Sequence, residues 1–166
     1  MRSKRISLLF AAVIGAVLVA AVYVLPSAAD GPPPPILAEP LTPRSVFLDE
    51  IDLKIKIKLH NATHVVNVED PSRTVVVRYT VQPGAQFPWH SHNGPVVVNI
   101  VSGSLTYLPR DTCLEHTYTT GQAFVDPGQG HVHTAYNGGS QPTVLIATFF
   151  AAPATGPLLI PADPAC

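Results

Sequence analysis

The chain has 166 residues, with 10 Lys+Arg against 11 Asp+Glu, enough for one domain plus appendages. Setting aside the basic start leaves 7 Lys+Arg against 11 Asp+Glu, a mildly acidic balance with no basic stripe, so no nucleic acid is expected as a partner. Only two cysteines are present, Cys113 and Cys166, and they lack the spacing of a redox motif.

Arg2, Lys4 and Arg5 precede Ile6–Leu25, a run of 20 residues without a charge, followed by Pro26, Ser27, Ala28, Ala29 and Asp30. A basic start, an apolar stretch and small residues predict a secretory signal peptide over residues 1–29, cleaved after Ala29. The alternative is an uncleaved anchor, because about 20 apolar residues can span a bilayer and tether the protein to a membrane. Either reading places the remainder outside the cytoplasm, whether extracellular, periplasmic or held at the cell envelope. Disulfides persist there, so Cys113 and Cys166 are a candidate pair, the alternative being two unpaired thiols.

Pro32–Pro35, Pro40 and Pro43 predict a stiff extended spacer over residues 30–44. The folded domain is then expected over residues 45–155, with 156–166 as a C-terminal tail. Ile51–Leu59 alternates strictly, with Ile51, Leu53, Ile55 and Ile57 on one face and Lys54, Lys56 and Lys58 on the other. This is the pattern of a half-buried strand whose lysine row guards a wet edge. Asp70-Pro71 turns the chain, and Thr74–Val81 is a second β-branched run closed by Pro83-Gly84. Further runs follow at Val96–Val101, Leu105–Leu108, His116–Thr119, Ala123–Val125, His131–Ala135 and Val144–Phe150. Many short strands punctuated by Gly, Pro and Asn predict an all-β sandwich or barrel.

Chemistry concentrates between Gly84 and Asn137. His90 and His92, two apart, share one face of a strand, because strand side chains alternate with period two. His133 on a facing strand would complete one side of a metal site, and imidazole suits Zn, Cu, Ni and Fe. No nucleophile elbow, phosphate loop or His-Glu-x-x-His helix competes with this reading.

The two units, Gly84–Gly103 and Gly121–Asn137, resemble the paired motifs of the cupin superfamily. The first reads Gly, five residues, His-x-His, three or four residues, Glu, six residues, Gly; Gly84, His90, His92 and Gly103 fit. The glutamate position falls on Val96 or Val97, so its carboxylate is absent. The second reads Gly, five residues, Pro-x-Gly, two residues, His, three residues, Asn. Gly121, Pro127, Gly130, His133 and Asn137 fit it if the turn from Pro to Gly holds one extra residue. The resemblance covers about a third of the chain directly.

It implies a single cupin barrel, a double-stranded β-helix or jelly roll of six to eight strands, with a divalent transition metal inside its open end. The ligands carried over are His90, His92 and His133, with His131 as the alternative to His133 because both share strand parity. His116 is an outside candidate; His60 and His64 lie beyond the motifs and are expected at the surface. Three neutral nitrogens without a carboxylate favour Fe, Zn, Cu or Ni over Mn. Gln86 and Tyr107 are expected to orient a bound water or ligand, and Asn137 to close the strand that follows. Trp89, opposite in parity to His90, is expected in packing. Asp126 precedes the turn at Pro127 and is not read as a base.

Two functions follow from the resemblance. One is a metal-dependent oxygenase, isomerase or decarboxylase acting on a small molecule, using the metal's open positions. The other is a non-enzymatic module that binds a small molecule or metal with a degenerate site. Cupins commonly pair through their sheets, so the resemblance also implies a homodimer.

Overall fold

A computed structural model describes residues 35–59 and 62–166. The expected leader lies outside these residues, and among them no helix is long and apolar enough to cross a membrane. Every regular element described is a strand: β1 (Ile36–Pro40), β2 (Ser45–Val46), β3 (Asp52–Leu59), β4 (Ala62–Glu69) and β5 (Arg73–Val81) come first. Then come β6 (His90–Ser91), β7 (Val96–Ser102), β8 (Ser104–Pro109) and β9 (His116–Thr119). The last four are β10 (Ala123–Asp126), β11 (His133–Tyr136), β12 (Thr143–Phe150) and β13 (Ile160–Pro161).

These strands form a six-stranded sheet ordered β1-β5-β12-β7-β10 with β2 beside β5, and a five-stranded sheet ordered β13-β6-β11-β8-β9. All pairings are antiparallel. The alternation seen in the sequence explains the packing. Val75, Val77, Tyr79 and Val81 of β5 are buried, as are Leu145, Ala147 and Phe149 of β12 and Val96, Val98 and Ile100 of β7. Leu105 of β8 and Ala135 of β11 join the same core from the other sheet. Two faces closing on one apolar interior make the jelly-roll arrangement.

Among the described residues, strands β3 and β4 pair only with each other, as a separate two-stranded sheet. Lys54, Lys56 and Lys58 are exposed, as the alternation predicts, while Val66 and Val68 of β4 are buried. β4 itself has no counterpart in the sequence expectations; its Asn, Thr and His interrupt the apolar run that marks the other strands.

Both domain boundaries move outward. Ile36–Pro40, assigned to a spacer, pairs along β5 from Ile36↔Val81 to Pro40↔Val77. Proline is tolerated there because β1 is an edge strand. Arg44, in the same segment, donates to the carbonyls of Pro153 and Gly156, each at 2.5 Å. At the other end, the expected tail contributes β13, which pairs with β6. Cys166 is bonded to Cys113, with an S–S distance of 2.09 Å and Cα atoms 5.7 Å apart.

Turn glycines sit where the motif spacing puts them. Gly103 has φ +80 and lies against Pro142 and Thr143, so neither its backbone nor its surroundings accept a side chain. Gly128 is tighter still: φ is +63 and a Cβ would overlap the Gly94 carbonyl.

Candidate metal centre

The ladder between β6 and β11 places His133 directly opposite His90. Opposed residues in an antiparallel pair project to one face, and His92, two residues on from His90, returns to that face. The rings cluster accordingly, with centroids 4.3 Å apart for His90 and His133, 4.8 Å for His90 and His92, and 5.2 Å for His92 and His133. All three residues are buried. One ring nitrogen from each lies within 4.8 Å of the others, so the group could hold a metal ion.

The second nitrogen of each ring is occupied. His90 Nδ1 lies 2.6 Å from the Pro88 carbonyl, His92 Nδ1 lies 2.9 Å from the Leu158 carbonyl, and His133 Nδ1 lies 3.0 Å from Asp126 Oδ2. Each oxygen can only accept, so the ring donates there from Nδ1 and turns the Nε2 lone pair inward. This is the tautomer a metal ligand needs, and such oxygen partners fix ring orientation in known sites. Burial, with His133 and His92 nearby, pushes His90 down to about 3; burial likewise lowers His92. These two rings are neutral at pH 7 and have lone pairs to offer.

Asp126 is the residue that sequence reasoning missed. It is only 1% exposed and accepts from four directions. Tyr107 Oη donates to Oδ2 at 2.6 Å and Gly128 N to Oδ1 at 2.8 Å, while His133 and His131 approach Oδ2 at 3.0 and 3.3 Å. Burial by itself would raise this carboxyl, but the two histidines outweigh it and hold the group well below the usual carboxylate range. In the β7–β10 ladder Asp126 stands opposite Val96. The structure thus decides between the two valines: Val96 is buried on the cavity wall, and Val97 is not part of that wall. A carboxylate lost from β7 has a counterpart on the same face of the adjacent strand. The signal available in the sequence was an acid next to the motif proline in a motif pair that lacked its own acid.

Other expected residues divide clearly. Tyr107 lines the cavity, its ring 5.0 Å from His133, and burial followed by Asp126 raises its phenol far above the ordinary value. Asn137 is buried away from the cavity wall, its amide donating to Val81 and Gln141 carbonyls while its oxygen accepts from Gly139 N. It closes the strand end and does not reach the histidines. Gln86 is exposed and donates to Thr134 Oγ1 at 3.1 Å. Its expected place beside His90 fails because β6 begins only at His90, so strand parity cannot be counted back through Pro88. Trp89 is half-buried. His116 lies on exposed β9 and His131 stands 6.4 Å from His133, centroid to centroid; neither joins the trio. His64, expected at the surface, packs instead against His131, with ring centroids 4.8 Å apart.

The trio opens on a narrow cavity of about 50 Å³, room for a few waters or the end of a small ligand. Its wall is mostly apolar and aromatic, including Phe87, Val98, Leu105, Phe124 and Phe149, and no lysine or arginine among the described residues lines it.

Residues 77–149 match the family model described as a cupin domain. No curated protein matches the sequence. Among solved structures, the chain is similar to the cupin domain of an XRE-family transcriptional regulator from Enterobacter cloacae. Identity is 15%, over 69% of this chain and 95% of that one, with a TM-score of 0.47. It is also similar to the polyketide cyclase RemF from Streptomyces resistomycificus, at 18% identity over 55% of this chain and 62% of that one, TM-score 0.47. A cupin-like protein from Thermotoga maritima is 25% identical over 45% of this chain and 55% of that one, TM-score 0.42.

Proposed function

Because the chain belongs to the cupin superfamily, we propose that it is an exported module that binds one divalent transition metal through His90, His92 and His133 and presents it to a small, largely apolar molecule. The observation that carries this is the set of three oxygens, from Pro88, Leu158 and Asp126, that each take one ring nitrogen and leave the other for an ion. Three neutral nitrogens suit Fe, Zn, Cu or Ni. Such an ion supplies a Lewis acid and, in the case of iron or copper, a redox centre with open coordination positions. The disulfide and the leader-like start support export.

The chain's own groups narrow the chemistry. A cavity wall without lysine or arginine leaves the ion itself as the positive charge a ligand would meet, and the rest of the wall favours apolar groups. Asp126 is the carboxylate on that wall, but four donors hold it as an anion. Held as an anion by those donors, it is not free to shuttle a proton as an isomerase's base or a decarboxylase's acid must. Oxygen chemistry requires no such base and is the enzymatic reading favoured here. The second reading, a non-catalytic binder, draws on the small volume of the cavity.

Elemental analysis of the purified chain tests the site. One equivalent of metal at the trio, lost in His92→Ala, is the expected result; a trio that cannot be loaded with Fe, Zn, Cu or Ni would refute it. Oxygen uptake by the iron-loaded protein across a panel of small apolar substrates then separates oxygenase from binder.

A further inference from the structure

A second group of potential ligands lies outside the matched motifs. His64 comes from β4, Asp111 from the turn after β8, and His131 from the loop between β10 and β11. Asp111 Oδ2 lies 3.4 Å from His64 Nε2 and 3.5 Å from His131 Nε2. These separations are long for hydrogen bonds, which lie near 2.7–3.2 Å in general. They match two donors sharing one ion, since ligands at about 2.0–2.1 Å from a tetrahedral centre stand roughly 3.3 Å apart. The His131 side chain is only 10% exposed, and its Nε2 is fully buried without a hydrogen-bond partner. A buried nitrogen left without a partner is costly unless something binds it.

From these observations we infer that His64, Asp111 and His131 form a second, outer metal site, taking a divalent ion such as Zn, Ni or ferrous iron with two nitrogens and one carboxylate oxygen. The three segments are tied at their roots. Gln129 Nε2 donates to the Asn67 carbonyl, joining the β4 hairpin to the Pro127–Gly130 turn, and Arg110 N donates to the Val132 carbonyl, joining the Asp111 turn to the His131 loop. His131 Nδ1 faces Asp126 Oδ2 at 3.3 Å, which turns Nε2 outward toward Asp111. His64 and His131 also line an open recess of about 310 Å³, which gives the ion's free positions access to water. Asp126 therefore touches one ligand of each site, His133 inside and His131 outside.

The test is metal stoichiometry of the demetallated full-length chain titrated with Co(II), read by visible absorption and elemental analysis. Two equivalents per chain are expected. His64→Ala and Asp111→Ala should each bind one, and His90→Ala should also bind one, with a different cobalt spectrum retained. A wild-type chain that binds one equivalent, kept in His64→Ala, overturns the outer site while leaving the inner one standing. A loss in His64→Ala with none in His90→Ala would do the reverse. Should His64→Ala fail to fold, His64→Gln keeps the side chain's bulk without the imidazole, and retention of both equivalents by that variant counts against the proposal. A protonated His131 bridging Asp126 and Asp111 would show itself as a second equivalent that never binds.

Discussion

The inner and outer histidine groups meet at one carboxylate oxygen, Asp126 Oδ2, but are built differently. His90 and His133 face each other across a ladder, so their positions follow from backbone register. His64, Asp111 and His131 come from a hairpin and two loops that meet only through tertiary contacts. The inner rings are buried in an apolar wall, whereas Asp111 is 40% exposed. A site on strands inherits its precision from the sheet; a site on loops must be assembled by cross-links, here the Gln129–Asn67 hydrogen bond and the nearby disulfide.

The largest effect should come from the group both regions share. Asp126→Ala strips the acceptor from Tyr107, Gly128 and two histidines at once. Breaking such a buried cluster costs about 3–5 kcal/mol, readable as a lower urea midpoint of the metal-free protein. Metal affinity should fall ~10–100-fold, as losses of ligand-orienting partners generally do. A fall at the inner group alone would break the symmetry between the two.

Reducing the Cys113–Cys166 bond should come next and should separate the groups. The bridge closes 53 residues of sequence, for which chain entropy gives at most about 4 kcal/mol. Asp111 stands two residues before Cys113, so the outer ion should be released to a chelator first when a reductant is added. Simultaneous release would mean that the disulfide steadies the whole fold and not the Asp111 turn.

Acid should have a smaller, graded effect on the metal-free protein. His90, held near 3, and His92, also lowered, stay neutral in the folded state. The unfolded chain takes up those protons below about 6.5. It then binds more protons than the folded chain, so stability drops as the solution is acidified, by up to ~1.4 kcal/mol per pH unit for a group such as His90. His131 works in the opposite sense: burial opposes its charge, but Asp126 and Asp111 raise it. Its contribution is complete below the unfolded value and disappears as pH rises through the folded one. The large displacement of His90 sets the balance, a net loss from pH 7 to 5. A melting temperature that holds steady over that range would mean the inner rings are more hydrated than their burial suggests.

The inner group was largely legible in the sequence because each histidine stands at a fixed count from the glycine that opens or closes its own strand pair. Gly84, His90, His92, Gly103, Gly121 and His133 are separated by counts that period-two strands and fixed turns translate directly into positions. What escaped was set by partners on neighbouring strands and loops that no fixed spacing announces. Asp126 acquires meaning only from its place opposite Val96 and beneath Tyr107. His64 gains a neighbour only once the β3–β4 hairpin folds over the Pro127–Gly130 turn. Gln86 failed for the converse reason: parity was extended through Phe87-Pro88-Trp89, where no ladder keeps it. Proline-rich ends also read as spacer and tail, yet edge strands admit proline and both ends entered the sheets.

The C-terminal strand has a practical consequence. Leu158 supplies the oxygen that steadies His92, Ile160 and Pro161 pair across from Ser91 and His90, and Cys166 is the clasp. A purification handle fused there, or a truncation meant to trim a floppy terminus, would tug on the imidazole cage itself.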